Sequence, residues 1–365
     1  MPRREPSRIL LIRPSALGDV CRTVPVLAAL LRAFPKAEID WLVQDTFQDA
    51  IWHHPGLSHT IPFARHELGR ALRRGKPGPL LGFIRRLRRA QYDMVVDAQG
   101  LFRSGFFAWT TGARTRVGHA DARELGWLGV NLRARARKDA HTVERMLSLL
   151  PPIGAEAVAD MRLYTGPKER SWVEALWPSA RARPANAGAG GLAVLAPTSR
   201  WHAKRWPADR FASLAKSMLS RGFAGVAVVG GASERDQCRP LLDLAARESR
   251  VLDLVGKTSV GQLMALVQAG SLVVANDSAV IHMAIGFDRP AVALYGPTSI
   301  ARVGPYVGPR QPAAAARTIV LQHIRPGERL DHKSPDTRQI ERISLDEVLS
   351  ASGEVLSPGV PAGAR

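Results

Sequence analysis

In two segments of the second half of the chain, side chains that can bind phosphate follow shortly after apolar, strand-like runs. Residues 200–207 (RWHAKRWP) follow the run Leu192–Ala196 and a Pro-Thr-Ser turn. Residues 277–297 follow the apolar run 271–275 and begin Asp-Ser. A helix that starts after a strand presents backbone N–H groups that attract anions. The two segments therefore predict a site for a nucleotide diphosphate.

Within these segments, Lys204 is the candidate for neutralising a diphosphate, because its ammonium is a compact point charge. Glu234 follows a Gly-Gly turn after a strand, where a carboxylate can accept hydrogen bonds from ribose hydroxyls. His282 has a second interpretation as a packed core histidine. The predicted donor-binding residues are Thr198, Ser199, Lys204, Glu234, Asp277, Ser278, Ala279 and His282.

A third candidate is Asp19, at the end of the Ser-Ala-Leu-Gly-Asp segment 15–19, which follows a short apolar run. This loop lacks the G-x-G-x-x-G fingerprint, which counts against an NAD or FAD enzyme. Asp19 has two interpretations: a helix N-cap, or a carboxylate exposed at the carboxyl end of a sheet, where open α/β folds bind ligands. The helical pattern after it begins either at Asp19 or near Thr23, because Pro25 lies in its first turns.

The elements that position these residues alternate between strand and helix in both halves of the chain. Strands that are apolar on both faces imply parallel sheets covered by helices. The Gly/Ala-rich stretch 184–191 (PANAGAGG) is the predicted linker. We therefore expect an N-terminal domain at 1–183, a C-terminal domain at 192–340, a last helix within 341–356 and a disordered tail at 357–365.

Composition limits the class of protein. A chain of 365 residues with 45% hydrophobic residues can form two α/β domains. Its two cysteines, Cys21 and Cys238, indicate neither a disulfide framework nor a cysteine metal site. No segment has the pattern of a signal peptide or a membrane span, so we expect a soluble cytoplasmic protein.

The formal net charge of +19 favours acidic substrates, an anionic membrane surface or nucleic acid as partners. A coding bias towards arginine on solvated faces explains the same charge. Nucleic acid is the weakest of these partners, because no aromatic-basic RNA-binding signature is present.

An ordered set of motifs runs through most of the chain and resembles glycosyltransferase family 9, the ADP-heptose:lipopolysaccharide heptosyltransferases. The motifs are S-A-L-G-D at 15–19, D-A-Q-G-L at 97–101, H-T-V-E-R at 141–145, K-R-W-P at 204–207, D-S-x-x-x-H at 277–282 and R-P-A-V-A-L-Y-G-P-T at 289–298. D-A-Q-G-L, A-R-E-L at 122–125 and H-T-V-E-R are most like heptosyltransferase I.

The resemblance implies a GT-B fold, with two Rossmann-like domains whose parallel sheets face a central cleft. It places the acceptor on the N-terminal domain and the donor, ADP-heptose, on the C-terminal one. It implies inverting transfer to Kdo on lipid A, with Asp19 as catalytic base and Lys204 at the diphosphate. No metal and no cofactor are expected, since a lysine and helix dipoles can do what a divalent ion does elsewhere.

An acceptor of this kind is an anionic lipid head, so basic residues are the expected contacts. The predicted acceptor-binding residues are Ser15, Arg103, Arg123, His141 and Arg145. For His141 and Arg145, four residues apart on a predicted helix over 139–150, the alternative is that the side chains are simply exposed to solvent and bind nothing.

The basic stretch 70–89 is expected to meet the inner-membrane surface as a peripheral contact. The sequence does not decide the oligomeric state, and a monomer is the working expectation.

Two departures from the family pattern concern the donor. Ser278-Ala279 stands where the family often has Thr-Gly, and the segment between Ser199 and Lys204 is one residue longer than in the family.

Two other functions remain open. One is a family 9 transferase with another acceptor, a core heptose or a protein serine. The other is a basic binding protein without catalysis.

Overall fold

The computed structural model describes residues 5–177, 190–307 and 317–357. The chain forms two compact units, Met1–Tyr164 and Thr165–Arg365. The second unit begins before the predicted linker 184–191 because the helix Pro167–Leu176 packs against the helix Val260–Ala269 of that unit. Most of that linker, and the tail after Ser357, lie outside the described residues.

Unit 1 contains a parallel six-stranded sheet in the order β3-β2-β1-β4-β5-β6. Its strands are β1 Arg8–Ile12, β2 Glu38–Gln44, β3 His59–Phe63, β4 Met94–Asp97, β5 Thr115–His119 and β6 Leu132–Ala134. Its helices are α1 Leu17–Ala33, α2 Arg65–Arg73, α3 Gly78–Arg89, α4 Phe102–Thr111 and α5 Thr142–Leu147, with 3-10 helices at Asp45–Ala50, Gly126–Gly129 and Pro151–Ile153.

Unit 2 repeats this order as β12-β11-β10-β7-β8-β9, again with parallel pairing. Its strands are β7 Leu192–Ala196, β8 Gly225–Val228, β9 Val251–Asp253, β10 Leu272–Asn276, β11 Ala291–Leu294 and β12 Thr318–Leu321. Its helices are α6 Pro167–Leu176, α7 Ala208–Ser220, α8 Arg239–Ala245, α9 Val260–Ala269, α10 Ala279–Gly286, α11 Ile300–Val303, α12 Arg338–Glu341 and α13 Leu345–Leu356, with 3-10 helices at His202–Lys204 and Ala232–Cys238.

Apart from Arg8 at the start of β1, the residues of the central strands β1, β4, β7 and β10 are buried, and most of them are apolar, as expected for parallel strands between helices. In unit 1 the rings of Phe63, Phe83 and Phe107 lie 5.1 to 5.7 Å apart and join α3 and α4 to the sheet. In unit 2 Trp206 packs edge-on against Phe211 at 4.9 Å. The predicted α/β class with two Rossmann-like parallel sheets is confirmed.

Two helices differ in extent from their sequence patterns. α1 begins at Leu17 and continues through Pro25, so Asp19 lies inside its first turn. Pro25 is tolerated there because buried apolar residues on both sides of it hold the helix against the sheet. The helix predicted over 139–150 is reduced to α5, and His141 is its N-cap. Across the described ranges, no helix is long and apolar enough to cross a membrane.

Candidate active site

Asp19, Lys204 and Asp277 follow strands that adjoin the point where the strand order of their sheet reverses. In unit 1 this point lies between the neighbouring strands β1 and β4, and in unit 2 between β7 and β10. Helices on the two sides of such a point diverge, which leaves a crevice at the carboxyl ends of the strands where open α/β sheets bind ligands. Units 1 and 2 therefore both place polar loops at the position where folds of this kind bind ligands.

Asp19 forms ion pairs with two arginines of unit 1. Its Oδ2 accepts from Arg13 at 2.7 Å, and its Oδ1 accepts from Arg22 at 2.5 Å. Arg13 follows β1 and Arg22 lies one turn along α1, and each is only 8% exposed. The Asp19 side chain is 25% exposed, so it is accessible to a ligand while both of its oxygens are held.

These contacts decide the charge of Asp19. Burial raises the pKa of its carboxyl, but the positive charges and hydrogen bonds of Arg13 and Arg22 outweigh burial and lower the pKa to about 2. The lowering therefore comes from the arginine pair, and Asp19 is ionised at neutral pH.

The loop after β4 is joined to the loop after β1. Arg13 donates to the carbonyl of Ala98 at 2.5 Å, and Ser15 N–H donates to Gln99 Oε1 at 3.3 Å. The buried Asp97 organises this D-A-Q-G-L turn, because it accepts from the backbone N–H groups of Gln99 and Gly100 and from the hydroxyl of Ser104. Burial raises the pKa of Asp97 to about 6. Its role is to shape the loop that touches the Arg13 side of the site.

His119, at the end of β5, is a residue that sequence reasoning missed. It is 7% exposed, and its Nδ1 has no hydrogen-bond partner among the described residues. Burial, and then the positive charge of Arg145, lower its pKa to about 4, so the imidazole is neutral at pH 7. The signal in the sequence is its position at a strand's carboxyl end, two residues before Asp121.

The predicted acceptor residues of unit 1 lie on different elements. Arg145 donates to Asp121 at 2.7 Å, and both of these charges act on His119. The backbone N–H of Arg123 donates to the carbonyl of Gly100 at 2.9 Å, which joins the A-R-E-L segment to the D-A-Q-G-L turn. The structure thus brings Arg123 and Arg145 to the loops that follow β4 and β5.

His141 and Arg103 have contacts of their own. His141 Nδ1 accepts from the backbone N–H of Val143 at 3.1 Å, so this side chain caps α5. Arg103 lies over the ring of Phe63 at 5.7 Å from its centroid. Burial, and then the nearby Arg65, lower the pKa of Arg103. Acceptor binding by these residues stays a prediction.

In unit 2 the structure joins the two segments that the sequence singled out. Lys204, at the end of the 3-10 helix His202–Lys204, donates to Asp277 Oδ2 at 2.6 Å. The two side chains are 13% and 9% exposed. Asp277 directly follows β10, so this ion pair spans the switch point of the second sheet.

Two residues that the sequence interpretation left out hold the Lys204 turn in place. Asn276 is fully buried, donates to the carbonyl of Pro197 at 2.6 Å and accepts from the backbone N–H of Trp206 at 3.1 Å. Gly296 faces the carbonyl of Ala203 so closely that any Cβ there would clash with it. The signals were present, since Asn276 precedes Asp277 and Gly296 lies in the Y-G-P motif.

Four further donor candidates, Thr198, Ser199, Ser278 and Ala279, follow β7 and β10 at the carboxyl end of the sheet. Thr198 and Ser199 are each 7% exposed, and Ser199 N–H donates to Gln237 Oε1 at 3.1 Å. Ser278 is the N-cap of α10, yet its hydroxyl makes no capping bond and its oxygen is buried without a partner among the described residues. Ala279 begins α10, so a ligand at its N-terminus would meet the Ser278 hydroxyl first.

Glu234 and His282 have defined positions but untested roles. Glu234 Oε2 accepts from the backbone N–H of Gly231 at 2.8 Å, which closes the turn after β8. His282 is 3% exposed and belongs to the buried face of α10. Ligand contacts by either residue stay predictions.

His332 is another residue that the sequence did not indicate. Its ring packs edge-on against Trp201 at 5.4 Å. Burial, and then the charge of Lys204, lower its pKa. Within the described part of the chain, no three His, Cys, Asp or Glu side chains form a group that could hold a metal ion.

Comparison with known proteins agrees with this geometry. Residues 80–332 match the family model described as glycosyltransferase family 9 (heptosyltransferase). The chain belongs to glycosyltransferase family 9. The predicted family and the predicted enzyme class, a glycosyltransferase, are confirmed.

Curated relatives of this family 9 glycosyltransferase include lipopolysaccharide heptosyltransferase 1 of Pseudomonas aeruginosa, which is 34% identical over 318 residues, 82% of this chain and 81% of the relative. Lipopolysaccharide heptosyltransferase 1 of Escherichia coli K12 is 24% identical over 82% of this chain and 91% of the relative. Among solved structures, E. coli ADP-heptose LPS heptosyltransferase II matches with a TM-score of 0.74 at 23% identity, covering 96% of this chain and 98% of that one. E. coli heptosyltransferase WaaC with ADP matches with a TM-score of 0.72 at 23% identity, covering 95% and 99%.

Proposed function

We propose that this family 9 glycosyltransferase transfers a heptose from ADP-heptose to Kdo on lipid A, with inversion at the anomeric carbon. The observation that carries the proposal is the ionised, accessible Asp19 at the switch point of unit 1. Relatives named lipopolysaccharide heptosyltransferase 1 supply the substrate class. ADP-heptose is a substrate in this proposal, and no separate cofactor takes part.

Asp19 acts as the general base. Its carboxylate takes the proton from an acceptor hydroxyl while that oxygen forms a bond to the anomeric carbon and the bond to the diphosphate breaks. In the free protein this base is weak, because Arg13 and Arg22 stabilise its charge. An anionic acceptor that pairs with either arginine reduces this stabilisation, raises the pKa of Asp19 and strengthens the base where it is needed.

Lys204 and the N-terminus of α10 stabilise the departing ADP. The Lys204–Asp277 pair holds the ammonium in a fixed position before the donor arrives. A diphosphate brings more negative charge than one carboxylate and competes with Asp277 for this ammonium. The buried Ser278 hydroxyl and the first N–H groups of α10 are then available as further donors. Preorganised groups of this kind stabilise charge that develops in the transition state.

The remaining predicted contacts complete this assignment. Thr198, Ser199 and His282 contact the phosphates of the donor, and Glu234 accepts hydrogen bonds from its ribose hydroxyls. The acceptor's negative groups meet Arg103, Arg123 and Arg145, whose charge complements them. Ser15 and His141 supply polar contacts beside these arginines.

We also propose that the protein acts at the inner face of the cytoplasmic membrane as a peripheral protein. Residues 65–89, which include α2 and α3, carry nine Arg or Lys and one acid, Glu67. Each basic residue near an anionic leaflet contributes about 1 kcal/mol, so such a cluster binds peripherally without a spanning helix.

The test is a donor and acceptor screen with the purified full-length protein, followed by release of free ADP. ADP-heptose with Kdo-lipid A should give the fastest turnover. Faster turnover with a heptosylated core, or with a protein serine, would assign the other acceptor classes. An absence of ADP release with every lipopolysaccharide core acceptor contradicts the proposed function.

A further inference from the structure

Helix α4 has an exposed aromatic face in unit 1 that the proposed chemistry does not use. Phe102, Phe106 and Trp109 repeat at intervals of four and three residues, and so lie along one side of the helix. The ring centroid of Phe106 lies 6.3 Å from that of Phe102 and 6.2 Å from that of Trp109. Phe102 and Trp109 are 55% and 59% exposed, although large aromatic side chains are usually mostly buried.

A second row of apolar side chains extends this face. The 3-10 helix Gly126–Gly129 packs closely on the start of α4, because Gly105, Gly126 and Gly129 leave no room for a Cβ between the two backbones. This contact sets Leu125 and Leu128 beside α4, where they are 57% and 58% exposed. Four large apolar side chains are therefore exposed on adjacent elements, a pattern typical of an interaction surface.

Arginines lie beside Trp109, at the end of the aromatic row. Arg85 and Arg88 of α3, together with Arg116 of β5, line a shallow hollow beside Trp109. The Arg88 guanidinium lies against Gly112, the residue that ends α4. The hollow thus combines an indole ring with three guanidinium groups, and Thr110 adds a hydroxyl-bearing residue to its lining.

We propose that this face, which we call the α3–α4 face (Arg85, Arg88, Phe102, Trp109, Leu125 and Leu128), inserts into the interfacial layer of an anionic lipid bilayer. Trp and Phe favour the headgroup level, where one part of the ring is apolar and the other is hydrated. The arginines pair with lipid phosphates, and the leucines reach the upper acyl chains. Charge complementarity favours this partner, since the adjoining segment 65–89 has one acid among nine basic residues.

This inference rests on the proposed function and makes it more specific. α4 begins at Phe102, directly after the D-A-Q-G-L turn that contacts Arg13. A lipid acceptor whose acyl chains stay in the bilayer must present its sugars at the bilayer surface. Insertion of Phe102 and its neighbours holds the acceptor loops of unit 1 at that surface.

The test compares the wild-type protein with the variant Phe102→Ser/Trp109→Ser/Leu128→Ser, in which only exposed side chains change. Co-sedimentation with phosphatidylglycerol/phosphatidylethanolamine vesicles should fall by at least about tenfold, because each large apolar side chain removed from the lipid costs about that factor or more. Leu330→Ser, which replaces a 47% exposed leucine of unit 2, is the matched control and should bind as wild type does.

Turnover of two acceptors separates this inference from the proposed function. The triple variant should keep wild-type ADP release with a deacylated, water-soluble acceptor and lose it with the same acceptor in vesicles. Vesicle binding equal to wild type overturns the membrane surface and leaves the enzyme assignment intact. A wild-type dimer that dissociates in the triple variant also overturns it, because a second copy then covers the face. If wild type releases no ADP with either acceptor, the function fails, and sedimentation still reports on the surface.

Discussion

Lys204 Nζ lies 2.6 Å from Asp277 Oδ2, across the point where the strand order of the second sheet reverses. The two residues are 73 positions apart in the chain. Asp277 holds the ammonium in an almost buried position, so the positive charge is already directed when a diphosphate arrives.

Replacing Lys204 by alanine should lower kcat/KM for ADP-heptose by about 10²- to 10³-fold, because one preorganised donor at a developing charge contributes that much. The reason is loss of the charge that meets the diphosphate. Initial rates of ADP release over a donor titration measure it. Lys216→Ala, at an exposed position on α7, is the matched control. Unaltered kcat and KM in Lys204→Ala would remove the lysine from the diphosphate site.

Asp19→Asn should lower kcat by about 10²- to 10⁴-fold, the usual contribution of a general base, while ADP affinity stays unchanged. Asparagine keeps the shape of the side chain and cannot take a proton. Calorimetric ADP binding and single-turnover rates separate the two effects. Asp45→Asn changes an exposed carboxylate of the same unit and should leave both unaffected. Normal turnover in Asp19→Asn would exclude the base role.

The lowered pKa of Asp19 also predicts a pH dependence of stability. A carboxyl whose pKa falls from 3.8 unfolded to about 2 folded stabilises the native state above pH 3.8, and this contribution disappears as the pH falls towards 2. Its size is about 2 kcal/mol, since each pKa unit corresponds to about 1.4 kcal/mol.

Chemical denaturation at a series of acidic pH values measures this contribution. Over the window from pH about 4 to about 2, wild type should lose about 2 kcal/mol more of its free energy of unfolding than Asp19→Asn. Equal losses in the two proteins would show that Arg13 and Arg22 do not stabilise the charged carboxylate.

Asn276→Ala should lower the free energy of unfolding by about 2 to 4 kcal/mol, because it leaves the carbonyl of Pro197 and the N–H of Trp206 buried without partners. It should also raise KM for the donor, since the Lys204 turn loses its anchor. Asn131→Ala is the control, because Asn131 also bonds to backbone but is exposed to water. A donor KM equal to wild type would show that the turn is held without Asn276.

Much of the site lay within reach of sequence reasoning because its signals are local. Apolar runs followed by polar turns indicated where β1, β7 and β10 end, and the polar residues after them lie at the switch points of the two sheets. Their roles in binding and catalysis stay predictions. The partners of those residues were not accessible in the same way. Arg13 and Arg22 resemble any other arginine in a chain of +19 net charge until β1 and α1 bring them to Asp19.

Local signals were enough to predict the two α/β halves, the family motifs and the candidate site segments, because strand periodicity, turn residues and helix starts act over a few neighbouring residues. The three-dimensional arrangement was needed to show which loops meet, that α6 belongs to unit 2, and that Phe102 and Trp109 of α4 are exposed. The physical reason is that these relations depend on which strands pair and which helix faces pack. Those outcomes are fixed by burial over the whole unit.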